Sequence, residues 1–279
     1  MKAFRKFVVG LLGITIVFNL YQVTASAKET ITYISTEEGT KIGVDMPIIK
    51  STSAVSVSKN KSNSGESKYE LTMNKEQNSV TVSFLIAPSL NGSTLEIPLV
   101  LTNGESVVLM KGQEDKIISA GNIYNKDKRS IGVISTKVDN NQEKINITQK
   151  MNDNKSLIIN IGANKKSLNV QVDLAVSNYS TYFSAFSWIT RGGKESLSLS
   201  HKPYLTDTDD YLLSSVKRID AWDKVVSLHG QDVKWSNTNG LKNQFDCHYY
   251  FAKQKDSWNI ESSRKDVGYM KTVFAGCNP

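Results

Sequence analysis

The sequence has little cysteine, histidine or proline: its 279 residues hold two Cys, three His and five Pro. Two cysteines cannot build a disulfide-dense scaffold. With no CxxC or HxxxH spacing, the sequence gives no zinc site and no metal is expected. Five Pro and 17 Gly exclude collagen-like and low-complexity chains. No G-x-S-x-G elbow, P-loop, dinucleotide fingerprint or EF-hand is found, so no cofactor is expected. No run of five or more like charges marks a nucleic-acid or polybasic patch. There is no apolar stretch beyond the N-terminal one, which excludes a polytopic membrane protein. What is there, 39% hydrophobic and 22% charged residues, suits a globular chain that buries a core.

The N-terminus reads as an address. Lys2, Arg5 and Lys6 precede an apolar run from Phe7 to Phe18, and Ala25-Ser26-Ala27 supplies small residues in a cleavage pattern. This order is that of a secretory signal peptide over residues 1–27. The run is short of the roughly 20 residues that span a bilayer, so cleavage is expected rather than a retained anchor. Removal of the segment leaves 31 basic against 27 acidic residues, a net charge of +4. The expected product is exported, extracellular or cell-wall associated.

Residues 28–182 contain no Trp, His or Cys. Short alternating runs recur at Ala54–Ser58, Ser79–Ile86, Thr94–Leu101, Ile131–Val138, Lys144–Thr148, Leu157–Ile161 and Leu168–Leu174. Period-two alternation predicts half-buried strands. Asn91-Gly92, Asn103-Gly104, Gly121-Asn122, Asn140-Asn141 and Asn152-Asp153-Asn154 predict turns between them. Lys59–Lys68 is polar and reads as an exposed loop. An all-β, antiparallel, sandwich-like domain follows from this spacing.

From residue 183 to 279 the composition changes. All four Trp, all three His and both Cys lie here. A hairpin is predicted over Trp188–Ser200, turning at Arg191–Lys194. A helix is predicted over Thr206–Ser227, with Asp207, Asp209 and Asp210 at its positive end and Trp222 on its apolar stripe. Leu241–Ala252 predicts a second helix, preceded by a cap region at Asn237–Gly240. On it Gln244 and His248 stand one turn apart and share a face. The segment is expected to form a small α+β domain. Cys247 and Cys277, an even pair in an exported chain, are expected to form a disulfide that brings Trp258–Arg264 close to His248.

Several rarer residues recur in order: QF-x-CH at Gln244–His248, K-x-x-WN-I-E-x-x-R at Lys255–Arg264, VGY at Val267–Tyr269, and CNP at the end, with W-x-x-R-x-G and SLSL upstream. In this pattern, residues from about 186 to 279 resemble the secreted bacterial domain of unknown function 2599 family. Lys265 departs from it, where the family has proline after the arginine. The resemblance implies export and the extent of the domain, and no activity.

Two functions follow. The first is an exported interaction protein, its partner extracellular or in the cell wall, with Gln244, Trp258 and His229 as candidate binding residues. The second is a metal-free secreted hydrolase, with His248 as general acid, Glu261 as general base and Arg264 holding an anion. Nucleic acid would be a partner only in the second. Hydrolysis requires those three side chains to converge in an open cleft.

Overall fold

In the computed structural model, the residues described are 32–51, 67–110, 119–139 and 145–279. The signal segment, the Ala54–Ser58 run, most of the Lys59–Lys68 loop and the Asn140-Asn141 turn lie outside them. Residues from Ile31 to Pro279 form one compact unit.

Among the described residues the chain runs β1 (Thr32–Ser35), β2 (Lys41–Val44), β3 (Ile48–Ser51), β4 (Lys68–Asn74), β5 (Ser79–Ile86), β6 (Ser93–Leu101), β7 (Ser106–Leu109), β8 (Ser119–Tyr124), β9 (Ser130–Asp139), β10 (Ile147–Asn152), β11 (Ser156–Ile161) and β12 (Leu168–Val176). There follow α1 (Tyr179–Tyr182), β13 (Phe183–Arg191), β14 (Lys194–His201), α2 (Pro203–Thr206), α3 (Tyr211–His229), α4 (Thr238–Phe251), β15 (Trp258–Glu261) and α5 (Tyr269–Phe274).

The first twelve strands make two six-stranded sheets. One has the order β1-β2-β6-β11-β10, with β3 also on β6; the other has the order β4-β5-β12-β9-β8-β7. The pairings are antiparallel. Leu95, Ile97 and Ile159 of the first sheet share one core with Val82, Phe84 and Val172 of the second, so the sheets face each other as a sandwich. Alternation makes this possible: β12 turns Leu168, Val170, Val172, Leu174 and Val176 inward and its polar residues outward. The Asn152–Asn154 signal is a hairpin turn in which Asp153 and Asn154 hold φ of 46° and 55°, conformations that Asn and Asp tolerate.

One turn signal is overturned. Gly121-Asn122 lies inside β8. A Cβ on Gly121 would meet the Val108 carbonyl oxygen at 2.6 Å, so this glycine admits close approach of β7. Asn122 is buried, and its amide donates to Ser130 Oγ (3.1 Å) and to the Val216 carbonyl (2.9 Å). The strand lacks alternation because α3 covers its outer face: Ala120 and Val133 pack with Leu212 and Val216.

The remaining elements are α+β. β13-β14-β15 form an antiparallel three-stranded sheet. Leu197, Leu199, Trp258 and Ile260 from it join Trp222, Phe245 and Tyr249 in a second core, with Tyr182 just before it. The predicted helix over Thr206–Ser227 starts later, at Tyr211, and runs two residues further, to His229. Of the three aspartates read at its positive end, Asp210 caps α3, its side chain accepting from Leu213 N at 2.7 Å, and the short α2 ends before it, at Thr206. The predicted second helix starts earlier, at Thr238, because Asn237 caps it from a left-handed conformation.

Candidate functional site

α4 and β15 bring the sequence-predicted residues together, and the local geometry explains their spacing. β15 pairs with β14 on one side, which leaves its other edge with unmet backbone groups. Residues two apart on a strand repeat their outward groups every ~6.6 Å, and helix residues four apart rise ~6 Å. Gln244 and His248 therefore match Glu261 and Asn259. Gln244 Nε2 donates to the Glu261 carbonyl (3.1 Å) and its Oε1 accepts from Glu261 N (2.9 Å). His248 Nε2 lies 3.1 Å from the Asn259 carbonyl oxygen. A carbonyl only accepts, so Nε2 carries the proton. The two side chains take the place of a neighbouring strand.

His248 is 2% exposed and Gln244 fully buried. Burial lowers the His248 pKa to about 4, outweighing the Asn259 bond, which acts the other way. The folded value lies below the ordinary 6.5, so the unfolded chain takes up its proton first as pH falls. The neutral ring contributes stability that is present above about pH 6.5 and lost as pH falls toward 4, roughly 3 kcal/mol over that span.

Glu261 is buried and ion-paired with Arg264. The Arg264 Nη1 donates to the main-chain oxygens of Asn278 (2.8 Å) and Pro279 (2.7 Å), and its own carbonyl accepts from Asn237 Nδ2 at 2.5 Å. Arg264 thus joins the start of α4, the end of β15 and the last two residues. The Cys247–Cys277 disulfide, with Cα atoms 5.4 Å apart, fixes the same residues to α4. Trp258 is fully buried, donating from Nε1 to the Ala252 carbonyl at 2.9 Å, with His201 stacked on it at 4.4 Å between ring centroids. His229 lies elsewhere, at the end of α3, edge-on to Phe186 and Tyr179; burial lowers its pKa too.

Residues 183–279 match the family described as Protein of unknown function (DUF2599). Among curated proteins none matches the chain. The DUF2599 segment spans β13 to α5 with its disulfide, and the match supplies no activity.

A second polar cluster joins this segment to the sandwich, and the sequence reading missed it. Asp220 of α3 is fully buried. Its carboxylate accepts from Ser130 Oγ (2.6 Å), Tyr182 OH (2.7 Å) and Ser177 Oγ, and Lys224 Nζ lies 3.6 Å away. Asp223 accepts from Ser130 N at 2.7 Å. Asp220 and Lys224 at i, i+4 resemble an ordinary solvated pair in sequence. Only the sheet packed over α3 turns Asp220 inward.

Proposed function

We propose that this is an exported, non-enzymatic interaction protein that acts at a bacterial surface or on another cell. The signal-like N-terminus and the disulfide support export. The observation that carries the interaction reading is a set of exposed apolar side chains flanking the disulfide. Phe251, four residues after Cys247, and Phe274, three before Cys277, are 64% and 83% exposed, and Met270 on α5 is 61% exposed. Exposed large apolar side chains, where they form a patch, mark contact with a partner. Hydrolysis would need His248, Glu261 and Arg264 to face one open cleft. The burial of the first two, and the bonds of all three to backbone or to each other, support a structural role.

The test sediments purified protein with isolated bacterial cell walls and, in parallel, incubates it with RNA and DNA. The expected result is co-sedimentation, weakened when Phe251 and Phe274 are both changed to Ser, and no cleavage. Cleavage of either nucleic acid, abolished by His248→Ala and by Glu261→Ala, would replace this reading with the hydrolase.

A further inference from the structure

We propose that the groove between α2–α3 and the outer face of the second sheet binds an oxyanion carried on a hydroxyl-rich chain, a polyol phosphate or a sugar carboxylate, through Lys202 and Lys217. The inference rests on the surface-binding reading above and names a ligand class for it. The groove has a volume of about 640 Å³.

Lys217 is the starting point. It lies on α3 and is only 7% exposed. Its Nζ donates to the Tyr204 carbonyl at 3.1 Å and sits 4.0 Å from the centre of the Tyr204 ring. The other cations along α3 have carboxylates: Arg218 meets Asp246 at 2.5 Å and Lys224 meets Asp220 at 3.6 Å. Among the described residues Lys217 makes no such ion pair. Asp207 acts on it from a distance, and burial still lowers its pKa. Lys202, on the same groove, donates from Nζ to the Ser180 carbonyl, again with no ion pair among the described residues. An ammonium removed from water without a carboxylate is costly. A buried charge of this kind lining a cleft, as Lys217 does, marks a candidate ligand site.

The acidic groups of the groove do not supply it. Asp173 accepts from Thr81 Oγ1 at 2.6 Å and from Gln171 Nε2 at 3.0 and 2.9 Å. Glu76 lies exposed on the turn between β4 and β5. The floor is a polar row across three strands, Thr81 beside Asp173 beside Ser135, which offers hydroxyls to hydroxyls. Tyr204, 41% exposed, adds an aromatic surface. Lysine acts as a point charge without the planar fork of arginine, so the pair accommodates phosphate or carboxylate. Few polar groups and one ring on a concave wall are how small ligands are oriented.

The test follows the backbone amide signals of Lys202, Tyr204 and Lys217 by NMR as sn-glycerol 3-phosphate or D-glucuronate is added at low salt to the purified protein. Glycerol and glucose are the neutral controls. At least one anion is expected to bind and neither neutral compound, and the anion that binds identifies the source of the charge. Lys202→Gln and Lys217→Met are each expected to weaken binding by about tenfold or more. Lys217→Met is also expected to melt no lower than the parent, since it removes an unpaired buried charge. If Lys217→Met does not fold, Lys202→Gln decides alone. Absence of binding by both anions, or unchanged binding in Lys202→Gln, overturns the proposal. If the protein still sediments with cell walls in that case, the groove is rejected and the surface reading stands. If an anion binds but the protein does not sediment, the groove stands and the surface reading falls.

Discussion

Asp220→Ala lowers the free energy of unfolding by about 3–5 kcal/mol, the cost of breaking a buried charge pair from one side. The carboxylate is the common acceptor for hydroxyls of the sandwich (Ser130, Ser177) and for Tyr182 of the second core. Without it, three donors and the Lys224 ammonium are left facing an apolar side chain. Lys224 also donates to the Ser130 carbonyl at 2.9 Å, so the loss loosens the attachment of α3 to β9. The sequence provides its own two probes. All four tryptophans are at positions 188, 222, 235 and 258. Tryptophan fluorescence therefore follows the DUF2599 segment, and the backbone amide NMR signals of β5 and β12 follow the strands of the sandwich. In urea, the two transitions are expected to coincide for the parent and to separate for Asp220→Ala, fluorescence changing first. A loss below about 1 kcal/mol with coincident transitions would show that the apolar contacts of Ala120, Val133, Leu212 and Val216 suffice to hold α3.

Removing the disulfide has a comparable effect in a different place. Cys247 and Cys277 are 30 residues apart, and chain-entropy arguments give about 3–4 kcal/mol for a loop of that length. The loop encloses β15, Arg264 and α5. Cys247→Ser with Cys277→Ser is therefore expected to shift the fluorescence transition to lower urea and leave the strand signal nearly in place. The last residues lose their covalent link to α4 and keep the bonds from Arg264 to the Asn278 and Pro279 main-chain oxygens. Identical midpoints for the oxidised protein and for the double variant would contradict this.

Much of the fold was legible wherever one face of an element is buried and the other wet. Ser79–Ile86 and Leu157–Ile161 alternate, and both are strands to within a residue. The Trp188–Ser200 hairpin turns at Gly192-Gly193 as read, though β13 begins earlier, at Phe183. Legibility failed where a second layer covers the sheet. β8 has four consecutive buried residues, with glycine and asparagine among them, so neither period nor propensity marks it. The short α5 lacks a side-chain cap and is fixed by the disulfide and by packing on α4. For the site, the shared face of Gln244 and His248 was visible from their spacing. What they meet was not, because the edge of β15 exists only after β14 and β15 have paired. Asp220 was hidden for the same reason, since a helix has an inside only relative to what packs on it.

The central claim is that the polar residues of the DUF2599 segment are spent on closing a sheet edge, and the imidazole of His248 decides it most directly. An NMR titration of its ring signals on the folded protein should give a pKa of about 4, with the ring neutral and its Nε2 proton slow to exchange at neutral pH. A pKa of 6.5 or above, with a rapidly exchanging ring proton, would put a chargeable histidine in contact with solvent and contradict the account.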